Sequence, residues 1–265
     1  VNSQDWNTAT PAPIDNFDEH DNVYDSLISA KKITSSDVLR VIKKITWTTG
    51  TIYEMYRPDY SIDKLSPQTS SSSLYKANFY VMNSDFRVYE CIYNGASPSN
   101  SGGGVISLEE PTHTDLQPRL ESDGYVWKYL YTIKPSDIIK FDSAEFIPVP
   151  QNWKTNTAVA DVRNAAVDGK IESVVIEDVT NATYQFNGTK NAVPIRGDGS
   201  DGLASVTFIN GKPSAVQVTN GGSGYSFGTL DLDDVVTGSG ASFSVIVPPP
   251  GGHGADIYRE LGANK

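Results

Sequence analysis

The chain has 265 residues, enough for one large or two modest domains. Its net charge is −11 with a pI of about 4.7, and it has no basic stripe, so we expect no nucleic-acid partner. A single cysteine, Cys91, excludes an intrachain disulfide and a cysteine metal cluster. No apolar run approaches the length of a membrane span, so we expect no membrane partner.

The first quarter of the chain combines a polar start with short elements. Residues 1–17 are polar and interrupted by prolines, with Trp6 as an apolar anchor. Apolar residues at helical spacing after Asp21, a suitable N-cap, predict a short helix over about 21–30. Residues 38–47 are rich in β-branched side chains and are predicted to be extended, and residues 51–56 are a further strand candidate.

A hairpin and an aromatic strand follow. Segments 79–82 and 86–93 flank a short polar turn, which predicts a hairpin. Residues 125–133 alternate as a strand does. One face carries four aromatic residues and an isoleucine, and the other face is mixed, which suits a partly solvated or partner-covered surface. Residues 146–150 contain two prolines and are predicted to form an edge strand.

From about residue 160 the sequence changes to strands punctuated by glycine. Segment 169–176 resembles segment 211–218, and segment 203–209 is expected to pair with 214–218 through an Asn210-Gly211 turn. We predict a mainly β fold with minor α and two domains. A β-sandwich-like domain spans 1–159 with a return segment at 253–265. A glycine-rich β-domain at 160–252, made of two related hairpin units, is inserted between them.

Five groups of residues are candidate chemical sites. Loop 197–202 is acidic and spaced by glycine, but it lacks the closing Glu of a calcium loop, so a tight turn is favoured; the acidic spot at 231–234 is interpreted likewise. Adjacent carboxylates in a strand point to opposite faces and do not suit glycoside hydrolysis. The three histidines are dispersed, and segment 251–254 is interpreted as a sharp chain reversal between domains. We therefore predict no catalytic residue, cofactor, metal or small-molecule substrate.

The order of several segments resembles one protein family. These are Trp6, residues 21–38, the aromatic-rich 47–56, the hairpin 79–93, the D-G-Y-V-W-K-Y-L-Y-T-I run at 123–133, F-I-P-V at 146–149, P-G-G-H-G-A-D at 250–256 and E-L-G at 260–262. In this order they are similar to the baseplate wedge subunit, gene product eight, of T-even-type contractile-tailed bacteriophages, particularly its cyanophage-like branch. Members of that family usually extend further at both ends, so we expect a fragment or a short form.

The resemblance implies a mainly β, two-domain structural protein without catalytic residues. It implies a homodimer that contacts other baseplate wedge subunits, assembles in the host cytoplasm, resides in the virion tail baseplate and supports baseplate rearrangement on sheath contraction. The candidate interaction residues lie on the hairpin and on the mixed face of the aromatic strand: Tyr80, Arg87, Tyr89, Val126, Lys128 and Leu130. The alternative function is a carbohydrate-binding β-module or adhesin, and a glycoside hydrolase is a third.

Overall fold

The computed structural model describes residues 16–232 and 235–263 and is mainly β with minor α, which confirms the predicted fold class. The strands in chain order are β1 (Val41–Lys43), β2 (Tyr80–Met82), β3 (Arg87–Tyr93), β4 (Arg119–Leu120), β5 (Val126–Thr132), β6 (Phe146–Pro148), β7 (Ser173–Asp178), β8 (Gly188–Gly197), β9 (Ser200–Ile209), β10 (Lys212–Ser223), β11 (Gly228–Leu230) and β12 (Ser242–Ile246). The α-helices are α1 (Phe17–Asp25), α2 (Pro135–Phe141), α3 (Ala160–Ala165) and α4 (Ile257–Glu260).

The described residues form two compact units, one up to Leu39 and one from Arg40 onward. The first contains α1, which starts before the predicted N-cap Asp21. The carbonyl of Asn16 already accepts from the amide of His20 at 3.1 Å, so the first turn forms ahead of Asp21. The helix also ends earlier than predicted, at Asp25. Trp6 lies outside the described residues.

The second unit contains an antiparallel sheet in the order β2-β3-β5-β4, and the predicted hairpin is confirmed as β2 and β3. The register between β3 and β5 shifts so that Leu130 is an extra residue in β5. Such a bulge breaks the alternation of faces, and Leu130 and Tyr131 are both buried. The mixed face of this strand is therefore covered by the chain itself, at Lys128 and Leu130, and not solvated there.

Two predicted strands differ in detail. Strand β1 is shorter than the extended segment 38–47 and pairs with β6, which lies at the edge of a two-stranded sheet as its prolines predict. Residues 51–56 form no continuous strand. Their amides bond individually instead: Glu54 N–H donates to Asn78 at 3.2 Å and Tyr56 N–H donates to Cys91 at 2.8 Å.

The glycine-rich part contains an antiparallel sheet in the order β10-β9-β8-β11 and a separate β7–β12 pair. Asn210 and Gly211 join β9 to β10 with φ of 51° and 73°, which confirms the predicted tight turn. Strand β7, from the first copy of the sequence repeat, pairs with the distant β12 and not with a sequence neighbour. The two related hairpin units stay a prediction.

Two hydrophobic clusters stabilise the second unit. The first includes residues from β1 to Trp153 and also Ile257, Leu261 and Ala263 near the end of the chain. The second includes residues between Ile171 and Val236. The domain bounds 1–159, 160–252 and 253–265 stay a prediction. No described helix is both long and apolar enough to cross a bilayer.

Candidate functional site

Four of the six predicted interaction residues are buried in the protein interior. Tyr80, Tyr89, Lys128 and Leu130 are each at most 3% exposed. The Tyr80 hydroxyl donates to the carbonyl of Lys43 at 2.9 Å, and the Tyr89 hydroxyl donates to the carbonyl of His113 at 2.6 Å. The side chains of these four residues are therefore not available as a docking surface, because intramolecular packing already covers them.

Two predicted residues keep partial exposure. Arg87 has a half-buried side chain that forms an ion pair with Asp85 at 3.4 Å and donates to the carbonyl of Thr112. Val126 is also half-buried and lines a surface groove of about 670 Å³. These two residues are the part of the predicted set that solvent or a partner can reach.

Lys128 belongs to a buried ion pair that the sequence did not indicate. Its ammonium lies 2.9 Å from a carboxylate oxygen of Glu172, and the two side chains are 3% and 5% exposed. Lys170 lies 3.4 Å from the same oxygen. This pair joins the centre of β5 to the residues that precede β7, across the two hydrophobic clusters.

Next to Lys128 lies a second buried group, formed by Glu90, His253 and Glu260. Glu90 is the cross-strand neighbour of Lys128, on β3. Nδ1 of His253 lies 2.8 Å from Oε2 of Glu90 and 3.0 Å from Oε1 of Glu260. The bond to Glu260 has hydrogen-bond geometry, whereas neither carboxylate oxygen of Glu90 has a hydrogen-bond partner in the described ranges. We call these three residues the Glu-His-Glu cluster.

Glycines with a left-handed backbone bring His253 to this position. Gly251, Gly252 and Gly254 have φ of 89°, 89° and 91°, a region that side chains with a Cβ rarely adopt. A Cβ on Gly252 would lie 2.3 Å from the carbonyl oxygen of Val167. The backbone turn that the sequence predicts at 251–254 is present, and it places the side chain of His253 in the protein interior, which the sequence pattern did not indicate.

The other contacts fix both ends of the cluster. The Gly254 amide donates to Oε2 of Glu260 at 2.8 Å, and the carbonyl of Gly254 accepts from the indole of Trp153 at 3.0 Å. The ring of Tyr56 packs edge-on against His253, with centroids 4.7 Å apart. These contacts leave Nδ1 and the facing carboxylate oxygens pointing at each other within a closed space.

Burial and mutual charge shift the pKa of each cluster member. Burial, and then the charge of Glu260, raises the pKa of Glu90. Burial disfavours the imidazolium of His253, but the Glu90 and Glu260 carboxylates outweigh it and raise the pKa of His253. For Glu260, burial is outweighed by the hydrogen bond from His253, which lowers its pKa. The three buried groups therefore shift one another's pKa values.

Among the described residues, the Glu-His-Glu cluster is the group whose donor atoms could hold a metal ion, since these atoms all lie within 4.8 Å of one another. The sequence shows no metal motif here because Glu90 is far from the other two residues along the chain. The spacing of His253 and Glu260 alone matches no local pattern.

The acidic loop at 197–202 is a tight turn between β8 and β9, as predicted. Asp198 accepts from the hydroxyl of Ser226 at 2.5 Å and from two backbone amides, Ser226 at 2.9 Å and Phe227 at 3.2 Å. These bonds lower the pKa of Asp198 to about 2. Its carboxylate thus already has protein donors, and Asp233 and Asp234 of the second acidic spot lie outside the described residues.

The adjacent carboxylates in the described part of the chain have separate partners. Glu177 forms ion pairs with Arg57 at 2.7 Å and Lys64 at 3.0 Å, whereas Asp178 accepts from Thr180. Glu110 accepts from the amide of Ser84 at 2.7 Å. Each of these acids has a structural contact of its own.

The surface groove is lined by strands of the β2-β3-β5-β4 sheet and of the β10-β9-β8-β11 sheet. Leu120 and Val126 line one side, Lys170 and Glu172 contribute charge, and Thr207 is among the hydroxyl side chains on the β9 side. Tyr93 is also part of the lining. Hydroxyl and charged groups beside an aromatic ring can bind a polar ligand that has an apolar face.

Segment 16–39 has a different surface. None of its side chains whose burial is described is buried, and the segment contributes no residue to either hydrophobic cluster. Its large apolar side chains are exposed by 36% to 88%: Phe17, Val23, Tyr24, Ile28, Ile33 and Val38. We call this segment the apolar arm. A concentration of exposed apolar groups marks an interaction site more often than scattered single residues do.

Comparison with known proteins gives no relative. No family model, no curated protein and no solved structure matches the chain.

Proposed function

We propose that this chain is a structural component of a phage tail baseplate wedge, located in the virion and acting by protein–protein association. It forms a homodimer, binds other wedge subunits and supports baseplate rearrangement on sheath contraction. The order of sequence segments described above supports the assignment to the wedge. The apolar arm is the observation that supports action by protein–protein association.

The exposed apolar side chains of the arm can contribute free energy to association. An apolar side chain of this size contributes about 1.5–3 kcal/mol when it is fully buried. The arm exposes six such side chains and lacks a hydrophobic core of its own. A partner that covers them gains much of the free energy of a stable interface, for which roughly 1,600 Å² of total buried area is usual.

Purified full-length chain tests this mode of action. We expect a dimer by multi-angle light scattering at micromolar concentration and binding to the other wedge subunits in a reconstitution. A triple variant, Phe17→Ser, Tyr24→Ser and Ile28→Ser, should weaken one or both associations by at least about tenfold, because roughly 1.4 kcal/mol is enough for that factor.

The matched control removes exposed apolar groups elsewhere. Ile62, Ile139 and Phe227 are 85%, 86% and 63% exposed, and their replacement by Ser should leave association unchanged. A wild-type chain that stays monomeric and binds no wedge subunit would refute the proposal. Equal loss in both triple variants would refute the assignment to the arm.

A carbohydrate-binding function is the second candidate, and the groove is the observation that favours it. Tyr93 offers an aromatic face, and Thr207, Gln217 and Thr219 offer hydroxyl and amide groups. A glycan array with the wild type and with a Tyr93→Ala and Gln217→Ala variant tests this candidate. Specific binding that the variant loses would favour it over the wedge assignment.

A further inference from the structure

We propose that the Glu-His-Glu cluster is a structural binding site for one divalent first-row transition-metal ion, with zinc as the best fit. The ligands are Nδ1 of His253, Oε2 of Glu90 and Oε1 of Glu260. This inference is independent of the wedge function. It concerns how the end of the chain is fixed to the central sheet.

The donor atoms of the cluster are of the types that bind zinc. Imidazole nitrogen and carboxylate oxygen are common zinc ligands. Glu90 and Glu260 are at most 2% exposed, and His253 is 5% exposed. Neither oxygen of Glu90 has a partner with hydrogen-bond geometry in the part of the chain that the structure describes, because Nδ1 of His253, 2.8 Å from Oε2, is directed at Glu260. A buried carboxylate in that situation is costly, and a bound cation supplies the missing partner.

The distances between the donor atoms of the cluster are close to those around a bound zinc ion. Zinc bonds of about 2.0–2.2 Å at angles between 90° and 110° place neighbouring donor atoms roughly 2.8–3.6 Å apart. The observed spacings from Nδ1 are 2.8 Å to Glu90 and 3.0 Å to Glu260. Both spacings lie in the lower part of this range, so the donors need to move apart by roughly 0.8 Å at most to admit an ion.

The charge of the ligand set favours a divalent cation. Metal binding requires a neutral imidazole and ionised carboxylates, and this ligand set carries a charge of −2, which one divalent ion neutralises inside the protein. Lys128 on the neighbouring strand does not do so, because its ammonium is bonded to Glu172 at 2.9 Å. A metal here would link β3 to both ends of the 253–260 segment, and ion binding would then contribute directly to folding.

The site is closed, so the ion should enter during folding. The experiment therefore unfolds full-length chain in urea with a chelator and refolds it with zinc, or without metal. We expect about one zinc per chain by native mass spectrometry after buffer exchange, and a higher melting temperature than for metal-free chain. Refolding with Co²⁺ should give visible absorption bands from the coordinated ion.

Two variants and one matched control make the assignment specific. Glu90→Gln and His253→Gln should lose the bound ion and the cobalt bands, while far-ultraviolet circular dichroism shows that they fold. The control is His113→Gln, because His113 is likewise buried and lies 3.9 Å from two carboxylates, Asp115 and Glu121. It should keep one ion per chain.

Absence of stoichiometric zinc from refolded wild type overturns the proposal, and it would assign a proton to the cluster instead. Retention of the ion by both folded cluster variants also overturns it. If neither variant folds, the cobalt spectrum of the wild type decides, since an ion bound elsewhere by surface carboxylates gives no imidazole-ligated spectrum.

Discussion

The buried Lys128–Glu172 pair gives the sharpest prediction about stability. Glu172→Met leaves the Lys128 ammonium, 3% exposed, without its carboxylate at 2.9 Å. Removing one partner of a buried pair costs about 3–5 kcal/mol, because the other charge stays desolvated. Lys128→Met should cost less, about 2 kcal/mol, because Lys170 remains 3.4 Å from Glu172 and is partly exposed.

Replacing both residues by Met removes both buried charges. Such replacements are close to neutral, so we expect the double variant to lie within about 1 kcal/mol of wild type. The two single effects are then far from additive, with a coupling free energy of about 4 kcal/mol or more. Equilibrium unfolding in urea, followed by tryptophan fluorescence and circular dichroism, measures all four free energies.

The exposed Arg196–Asp231 pair is the matched control. Its atoms lie 2.6 Å apart, but the side chains are 53% and 24% exposed. Arg196→Met should cost less than about 1 kcal/mol. The reasoning about Lys128 and Glu172 is wrong if Glu172→Met costs no more than this control, or if the two single effects simply add.

Three further predictions use other features of the second unit. Gly252→Ala should destabilise by about 2 kcal/mol or more, because its φ is 89° and the new Cβ would clash with the carbonyl of Val167; Gly50→Ala, with φ of 82° and open space, should cost about 1 kcal/mol in the same urea titration. Partial burial raises the pKa of Asp59, but its basic partners outweigh this and lower it to about 2. Its contribution is therefore present above pH 4 and lost as the pH falls towards 2, and acid titration of Asp59→Asn should lack this component. Tyr225→Phe should cost about 1–3 kcal/mol in thermal unfolding, because its hydroxyl satisfies one buried amide and one buried carbonyl.

Local patterns predicted the parts of the fold that depend on neighbouring residues. The hairpin at 79–93 and the Asn210-Gly211 turn follow from period-two alternation and from turn chemistry, and both are present. The pairing of β7 with β12 was not predicted, because the two strands are far apart along the chain and no turn between them marks it, although segment 240–247 resembles segment 203–209 as 169–176 resembles 211–218. The burial of Lys128 was missed because a lysine in a strand ordinarily indicates solvent.

The Glu-His-Glu cluster illustrates the same limit for a site. Its members come from β3, a glycine turn and α4, and only packing brings them together. The one local signal was the glycine run around His253. Three left-handed glycines beside a histidine indicate close backbone approach, and this could have suggested that the ring points inward.

The position of the last apolar residues has a consequence for biosynthesis. Ile257, Leu261 and Ala263 belong to the first hydrophobic cluster, whose other members begin at Ile42. A ribosome must therefore release nearly the whole of this sequence before that cluster can close. The fully buried members of the second cluster end at Val236, and partly buried residues up to Val247 pack against it, so this cluster can form once residue 247 has emerged. We expect the glycine-rich region to acquire protease resistance first during translation, and the aromatic sheet to follow once residues 257–263 have emerged.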